Sequence, residues 1–133
     1  MKFDHIGIIV ENIEKATKLM IDDHNLQQCG GKIVETEIDV ILQFLVDNNG
    51  LRYELIEPNS PNSPLHKVLE RKNSNKMHHI AYLVEDIDQK CNDFREKGYG
   101  FLTNFFSANA FDGARVIFLM SPLGFIIELI EKK

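Results

Sequence analysis

Apolar and polar positions follow two periodicities along the first half of the chain. Residues 3–10 are rich in isoleucine and valine and predict a β-strand. Asn12 is a plausible helix N-cap, and apolar residues then recur at helical spacing, which predicts an amphipathic helix at about 12–24. Gly30 and Gly31 interrupt the pattern. Three further strands are predicted, at 32–37, 40–46 and 51–57.

The second half predicts the same order of elements. A strand is expected at 77–84, followed by a helix that Asp86 caps, with Gln89 in the position of a capping box. The helix presents a buried stripe of Ile87, Cys91 and Phe94 and ends at Gly98. Further strands are predicted at 99–107, 115–120 and 125–130. Each half is therefore expected to be a βαβββ module.

A turn-rich segment at 58–64 separates the two halves. Ser63 is a good N-cap and Pro64 a good first helical residue, so a connecting helix is predicted at about 64–72. The length suits one domain of ordinary size. We therefore expect a single domain, 1–133, with module one at 1–58, a linker helix within 59–76 and module two at 77–133.

An internal repeat relates the two halves at an offset of 74 residues (79 − 5 = 74). The text of 4–13 returns at 78–87, and that of 53–57 returns at 127–131. Each copy carries one histidine near its start and one glutamate near its end. These four residues are His5, Glu54, His79 and Glu128.

The four repeated residues have the composition of a divalent-metal site. Alone, a histidine or glutamate in an apolar strand is more often a core or surface residue than a ligand. A matched histidine and a matched glutamate at one common offset favour a shared site, because packing about a pseudo-two-fold axis would bring equivalent positions together. Two carboxylates balance a divalent cation, and mixed nitrogen and oxygen ligands suit Zn, Ni, Co, Fe or Mn.

Charge and composition exclude several classes of function. The net charge is −5 and no cluster of Lys and Arg stands out, which argues against nucleic-acid binding. No apolar run approaches the ~20 residues of a membrane helix, and the first residues lack the layout of a signal peptide. Cys29 and Cys91 have no CxxC spacing, which fits reduced thiols. We expect a cytoplasmic protein without a membrane partner.

Several other polar residues have two interpretations. Arg52 has the same strand parity as Glu54 and could meet a substrate carboxylate or phosphate, or be a solvated strand residue. Arg115 has the same two interpretations. His78, Glu57 and Glu131 have the opposite parity from the ligand candidates, which predicts that they lie on the other face of their strands.

The segments 4–7 (DHIG) and 125–129 (FIIEL) resemble the vicinal oxygen chelate superfamily, which includes glyoxalase I, methylmalonyl-CoA epimerase, extradiol dioxygenases and bleomycin-resistance proteins. The resemblance covers essentially the whole chain. It implies an α+β glyoxalase-like fold, in which two tandem βαβββ modules form a curved, cup-shaped mixed sheet, and a homodimer. The family's metal ligands would fall on His5, Glu54, His79 and Glu128.

Within that superfamily, the middle of the chain is most similar to methylmalonyl-CoA epimerase. The similarity lies in 54–58, 63–65, 68–70, 78–81 and 113–119. It implies a metal-dependent isomerase that removes an α-proton from an acyl-CoA through a metal-bound enolate. Glu128 is similar to one of the epimerase bases.

The chain departs from the epimerases in the strand at 40–46, where they carry a second acidic residue. Here Gln43 is the only polar residue, and we take it, with Arg115, as a predicted substrate-binding residue. Two alternatives stay open. One is a glyoxalase I-type lactoylglutathione lyase acting on a thiol–aldehyde hemithioacetal, and the other is a non-enzymatic small-molecule binding protein of the same fold.

Overall fold

The computed structural model describes residues 1–69 and 75–133, with the side chains of 68 and 69 also left aside. The first half contains β1 (Lys2–Ile9), α1 (Ile13–His24), β2 (Gln27–Glu35), β3 (Val40–Val46) and β4 (Arg52–Pro58). A short helix, α2 (His66–Leu69), follows. The second half contains β5 (Lys76–Val84), α3 (Ile87–Glu96), β6 (Gly100–Phe101), β7 (Phe106–Ala108), a 3₁₀ turn (Asn109–Phe111), β8 (Ala114–Met120) and β9 (Ile126–Glu131). The α+β class is confirmed, and the first half has the predicted βαβββ order, whereas the second half has one strand more because two short strands replace the one expected after α3.

Backbone contacts divide the chain into two compact units. One unit is His5–His78, and the other is Met1–Asp4 together with His79–Lys133. The boundaries do not coincide with the ends of strands, since β1 and β5 both cross them. Within the described residues, no helix is both long and apolar enough to cross a membrane.

In the unit His5–His78 the strands lie in the order β2-β3-β4-β1. Strand β1 runs parallel to β4, and the other neighbours are antiparallel. Helix α1 begins at Ile13 because the Asn12 side chain accepts a hydrogen bond from the Lys15 N–H. Its apolar side covers one face of the sheet, where the buried core consists of Val10, Ile13, Leu26, Leu45 and Leu55. The opposite face of these strands carries Glu54 together with buried apolar residues such as Phe44.

In the other unit the strands lie in the order β5-β9-β8-β6, with β7 also paired to β8. Strand β5 runs parallel to β9, as β1 does to β4. Asp86 caps α3 by accepting from the Gln89 N–H, while the Gln89 side chain donates to Asp93. The predicted stripe of Ile87, Cys91 and Phe94 is buried, and burial is the main cause that raises the pKa of the Cys91 thiol.

Three predicted elements differ from the structure. The pair Gly30–Gly31 does not separate elements, because β2 runs from Gln27 through both glycines with a register shift between Cys29 and Ile33. This β-bulge absorbs the irregularity inside a continuous strand. The single strand expected at 99–107 is two short strands, β6 and β7. The predicted connecting helix is observed only as α2, and its expected end lies partly outside the described residues.

Candidate functional site: a buried histidine–glutamate pair in each half

His5 and Glu54 lie side by side in the first half. The parallel register pairs Gly7 with Glu54, so His5, two residues earlier on β1, points to the same face of the sheet as Glu54. His5 Nε2 lies 3.5 Å from Glu54 Oε1, and both residues are buried. Phe44 packs edge-on against the imidazole, with ring centroids 5.4 Å apart. The parallel register therefore brings the two ligand candidates of the first half together.

The second half repeats the pair with the same surroundings. His79 Nε2 lies 3.8 Å from Glu128 Oε1, and both residues are buried. Phe118, the counterpart of Phe44, packs against His79 with ring centroids 5.1 Å apart. Its register partner across the antiparallel β8–β9 pair is Glu128, just as Phe44 pairs with Glu54. The duplication has kept the polar pair together with its aromatic neighbour.

Both pairs have the chemistry of metal ligands. The two nitrogen-to-oxygen distances exceed the 2.7–3.2 Å of ordinary hydrogen bonds, but two donors each about 2.1 Å from one ion lie about 3–4 Å apart. Burying a carboxylate is costly unless a positive charge balances it. Imidazole and carboxylate groups, as on His5, Glu54 and His79, can hold a divalent metal ion. The residues present therefore fit the cation that the sequence predicted.

In the first half a second acidic residue, Glu35, lies on the face of the sheet that carries Glu54. In the register, Glu35 pairs with Val40, and Phe44, four residues along the same strand β3, pairs with Glu54. Paired residues share a face and alternate residues return to it, so Glu35 and Glu54 point to the same side. Glu35 is only 3% exposed. The sequence analysis missed Glu35 because the bulge in β2 interrupts the alternation of side chains between the two faces, so its face could not be counted from neighbouring residues.

Gln43 lies on the opposite face from Glu54, because its register partner is Leu55. Its side-chain amide donates to the carbonyls of Gly30 at 3.1 Å and Phe44 at 3.0 Å, and Gln28 donates to its oxygen at 3.3 Å. These contacts hold the bulged part of β2 against β3. The substrate-binding role predicted for Gln43 stays a prediction, and the observed contacts are structural.

Arg115 also lies on the face away from its half's glutamate, since its neighbour Val116 shares the face of Glu128. Its guanidinium donates to both Glu131, at 3.0 and 3.1 Å, and Asp88, at 2.9 and 3.2 Å. These hydrogen bonds lower the pKa of both carboxyl groups and raise that of Arg115. A substrate anion would have to compete with two carboxylates, and the predicted role of Arg115 stays a prediction.

His78 and Glu57 were predicted to face away from the ligand candidates. Burial lowers the pKa of His78 from its ordinary value to about 4, so the imidazole is neutral near pH 7. Glu57 accepts a hydrogen bond from the Ile13 N–H at the start of α1. This contact places Glu57 on the helix-covered face of the sheet, as its strand parity predicted.

The family model of the glyoxalase/bleomycin resistance protein/dioxygenase superfamily matches residues 4–118. The chain belongs to this superfamily. The match covers most of the chain, and the resemblance inferred from the sequence is confirmed. The α+β architecture is accordingly the glyoxalase-like fold of that superfamily.

Individual relatives of this superfamily member span nearly its whole length. Protein YqjC of Bacillus subtilis (strain 168) is 29% identical over 99% of this chain and 93% of its own. The crystal structure of hypothetical protein BH1468 from Bacillus halodurans C-125 has a TM-score of 0.85 at 30% identity, covering 99% of this chain and 94% of that one. Neither name carries an activity.

A methylmalonyl-CoA epimerase is also among the similar structures. A variant of the Streptomyces coelicolor enzyme, in complex with 2-nitronate-propionyl-CoA, has a TM-score of 0.80 at 26% identity. The alignment covers 99% of this chain and 97% of that one. The superfamily fold is therefore shared with enzymes that bind acyl-CoA derivatives.

Proposed function

We propose that this protein is a metal-dependent isomerase that removes and returns a proton at the carbon next to the carbonyl of an acyl-CoA thioester. The observation that carries the proposal is the buried histidine–glutamate pair that recurs in both halves, at 3.5 and 3.8 Å. A purely structural repeat would conserve apolar core residues, and it would not need two buried carboxylates at equivalent positions.

His5, Glu54, His79 and Glu128 are the proposed ligands of a divalent ion, for which Zn, Ni, Co, Mn and Fe are candidates. A divalent ion next to a carbonyl oxygen withdraws electron density and so acidifies the adjacent C–H bond. The four side chains are buried, at most 6% exposed, and a buried carboxylate favours a cation that balances its charge.

Proton transfer falls to the carboxylates. Glu128 accepts the α-proton on one side of the substrate, since a carboxylate at hydrogen-bond distance can act as a general base. Epimerisation needs a second group that returns the proton to the other side. Strand β3 offers no acid on the Glu54 face, but the neighbouring strand β2 offers the buried Glu35. We assign this second role to Glu35.

The kinship with a methylmalonyl-CoA epimerase structure supports an acyl-CoA as the substrate. The homodimer and the substrate contacts of Gln43 and Arg115 stay predictions. The glyoxalase I-type lyase and the non-enzymatic binding protein share the same fold, so activity assays and metal analysis must separate the three.

The test is incorporation of deuterium. Purified protein loaded with one metal at a time is incubated with a 2-methylmalonyl thioester in deuterated water, and the α-carbon is followed by NMR. The proposal expects incorporation well above the background rate, and loss of it in Glu128→Gln. Conversion of a methylglyoxal–thiol hemithioacetal, without α-deuterium in the thioester, would establish the lyase instead.

Metal analysis tests the ligand set separately. Wild-type protein should bind about one equivalent of metal, and His5→Ala and His79→Ala should each lose most of it. His24→Ala, which changes an exposed histidine at the end of α1, is the matched control and should bind normally. A wild-type protein that binds none of the five metals would favour the non-enzymatic binding protein.

A further inference from the structure

Arg52 places a cation on the face of the first half that carries His5 and Glu54. It lies two residues before Glu54 on β4, so both side chains point to the same side and their Cα atoms are about 7 Å apart. The side chain is half-buried, and its guanidinium carbon lies 4.4 Å from the centroid of the Phe44 ring. This cation–π contact places the guanidinium over the ring that also packs against His5.

The register places Arg52 directly beside the histidine. Strand β1 pairs Ile6 with Tyr53, so the preceding residues of the two parallel strands, His5 and Arg52, are neighbours. The second half shows the same position explicitly, where His79 pairs with Ile126 (52 + 74 = 126). The residue beside the histidine is therefore arginine in one half and isoleucine in the other.

The duplication acts as an internal control on what the fold requires. Isoleucine at 126 satisfies the strand, the parallel register and the packing beside a buried histidine, so none of these requires an arginine. Among the described strand residues of the first half, Arg52 is the one Lys or Arg on this face, which also carries Glu35 and Glu54. The Glu54 carboxylate repels an anionic ligand, and the cation two residues away on the same strand face offsets that repulsion.

We infer that Arg52 binds the free carboxylate of a substrate that carries this group on the α-carbon of its acyl thioester. The inference rests on the proposed function and narrows its substrate class to carboxylated acyl thioesters. A guanidinium presents parallel N–H donors that match a carboxylate, and its contact with the Phe44 ring keeps it on the face that carries His5 and Glu54. Arg52 is a specificity residue that selects and orients the substrate, while the carboxylates of the site move the proton.

The experiment compares two ligands in three proteins. Metal-loaded wild type, Arg52→Lys and Arg52→Ile are titrated by calorimetry with 2-methylmalonyl-CoA and with propionyl-CoA, which lacks the carboxylate. Arg52→Ile introduces the residue that the second half already carries at this position, so it is the substitution most compatible with the fold. Thermal unfolding of each variant reports whether the protein is folded.

Wild type should prefer the carboxylated ligand, and Arg52→Ile should lose about tenfold or more in affinity for it with little change for propionyl-CoA. Arg52→Lys should retain an intermediate preference. An unchanged preference in Arg52→Ile would overturn the inference, and so would equal weakening of both ligands. If Arg52→Ile does not fold, Arg52→Gln, which also removes the charge, takes its place, and an unchanged preference in that variant overturns the inference.

The deuterium assay separates this inference from the proposed function. If the wild-type protein exchanges no α-proton, the proposed isomerase activity is refuted. The affinities of the two ligands, measured by calorimetry, still test the role of Arg52. A wild type that exchanges the α-proton, together with an Arg52→Ile variant that discriminates the two ligands as before, refutes only the role of Arg52.

Discussion

The carboxylate of Glu57 accepts a hydrogen bond from the backbone N–H of Ile13 at 3.0 Å. Strand β4 thereby holds the first turn of α1, where the backbone N–H groups lack partners within the helix. The repeat counterpart, Glu131, reaches α3 by a longer route, since it binds Arg115, which in turn binds Asp88 in the first turn of that helix. Both halves use the same glutamate position to fix the helix on the sheet.

Removing the Glu57 carboxylate should destabilise the protein. Glu57→Ala leaves the Ile13 N–H without this acceptor and removes a negative charge from the positive end of the helix dipole, and we expect a loss of about 1–2 kcal/mol in the free energy of unfolding. Glu57→Gln keeps an acceptor and should lose less. Urea unfolding measures both. The exposed Glu96→Ala is the control, and an equal effect there would contradict the capping role.

Arg115 should govern the stability of the protein in acid. The pKa values of Asp88 and Glu131 lie below their ordinary values of 3.8 and 4.5 because Arg115 donates hydrogen bonds to both. Carboxyl groups with a depressed pKa stabilise the fold above their unfolded pKa values, and this contribution is lost as the pH falls through the folded values. Stability should therefore decline below about pH 4.5.

In Arg115→Met that decline should be shallower, because the two carboxyl groups then titrate closer to their unfolded values. The urea midpoint of both proteins, measured from pH 6 to pH 3, checks this. At pH 6 the variant should also be less stable than wild type, because it has lost the two ion pairs of Arg115. Arg95→Met removes an exposed arginine from the same unit and serves as the control. Identical pH profiles for wild type and Arg115→Met would refute the assignment.

The two carboxylates assigned to proton transfer should act on opposite stereoisomers. Glu35→Gln and Glu128→Gln should each lower epimerisation by about 100-fold or more, while each still exchanges the α-proton of one stereoisomer. The measurement is deuterium incorporation from stereochemically pure thioester. Glu37→Gln, in the exposed turn after β2, is the matched comparison. If Glu37→Gln rather than Glu35→Gln abolishes epimerisation, the second base is in that turn.

Gln43 should matter for stability. Gln43→Leu leaves the carbonyls of Gly30 and Phe44 without its amide, and because the contact with Phe44 is buried we expect a loss of about 2 kcal/mol in the free energy of unfolding. The KM of the folded variant should change less than twofold. Gln28→Ala, which removes only the outer hydrogen bond of the network, should cost less. A large rise in KM at unchanged stability would instead support the predicted substrate contact.

Elements with a single strong local signal were predictable from sequence. The strongly apolar run at Val40–Val46, which only Gln43 interrupts, matches β3 at both ends, and Asn12 and Asp86 cap the helices that they were predicted to begin. The pair Gly30–Gly31 misled because two glycines suit a turn and a bulge equally well. The pairing of β2 with β3 on both sides of the glycines shows that they form a bulge and not a turn.

The site divides in the same way. His5, Glu54, His79 and Glu128 were identified because the repeat marks them as equivalent, and equivalence does not depend on knowing the register. Glu35 has no equivalent glutamate in the second half, so the repeat does not mark it. The face on which it lies is known only from the pairing of β2 with β3 after the bulge. Parity along β3 is regular, but Gln43 could not be assigned to a face until β3 was aligned with β4.

The first strand of the chain belongs to both compact units, because Met1–Asp4 groups with the second half and the residues from His5 onward with the first. A gene split in the linker would therefore not yield two self-sufficient polypeptides. The N-terminal fragment would carry four residues that complete the other fragment, and the C-terminal fragment would lack them. Independent expression of the halves should consequently give a C-terminal fragment that is less stable than the same fragment with Met1–Asp4 supplied as a peptide.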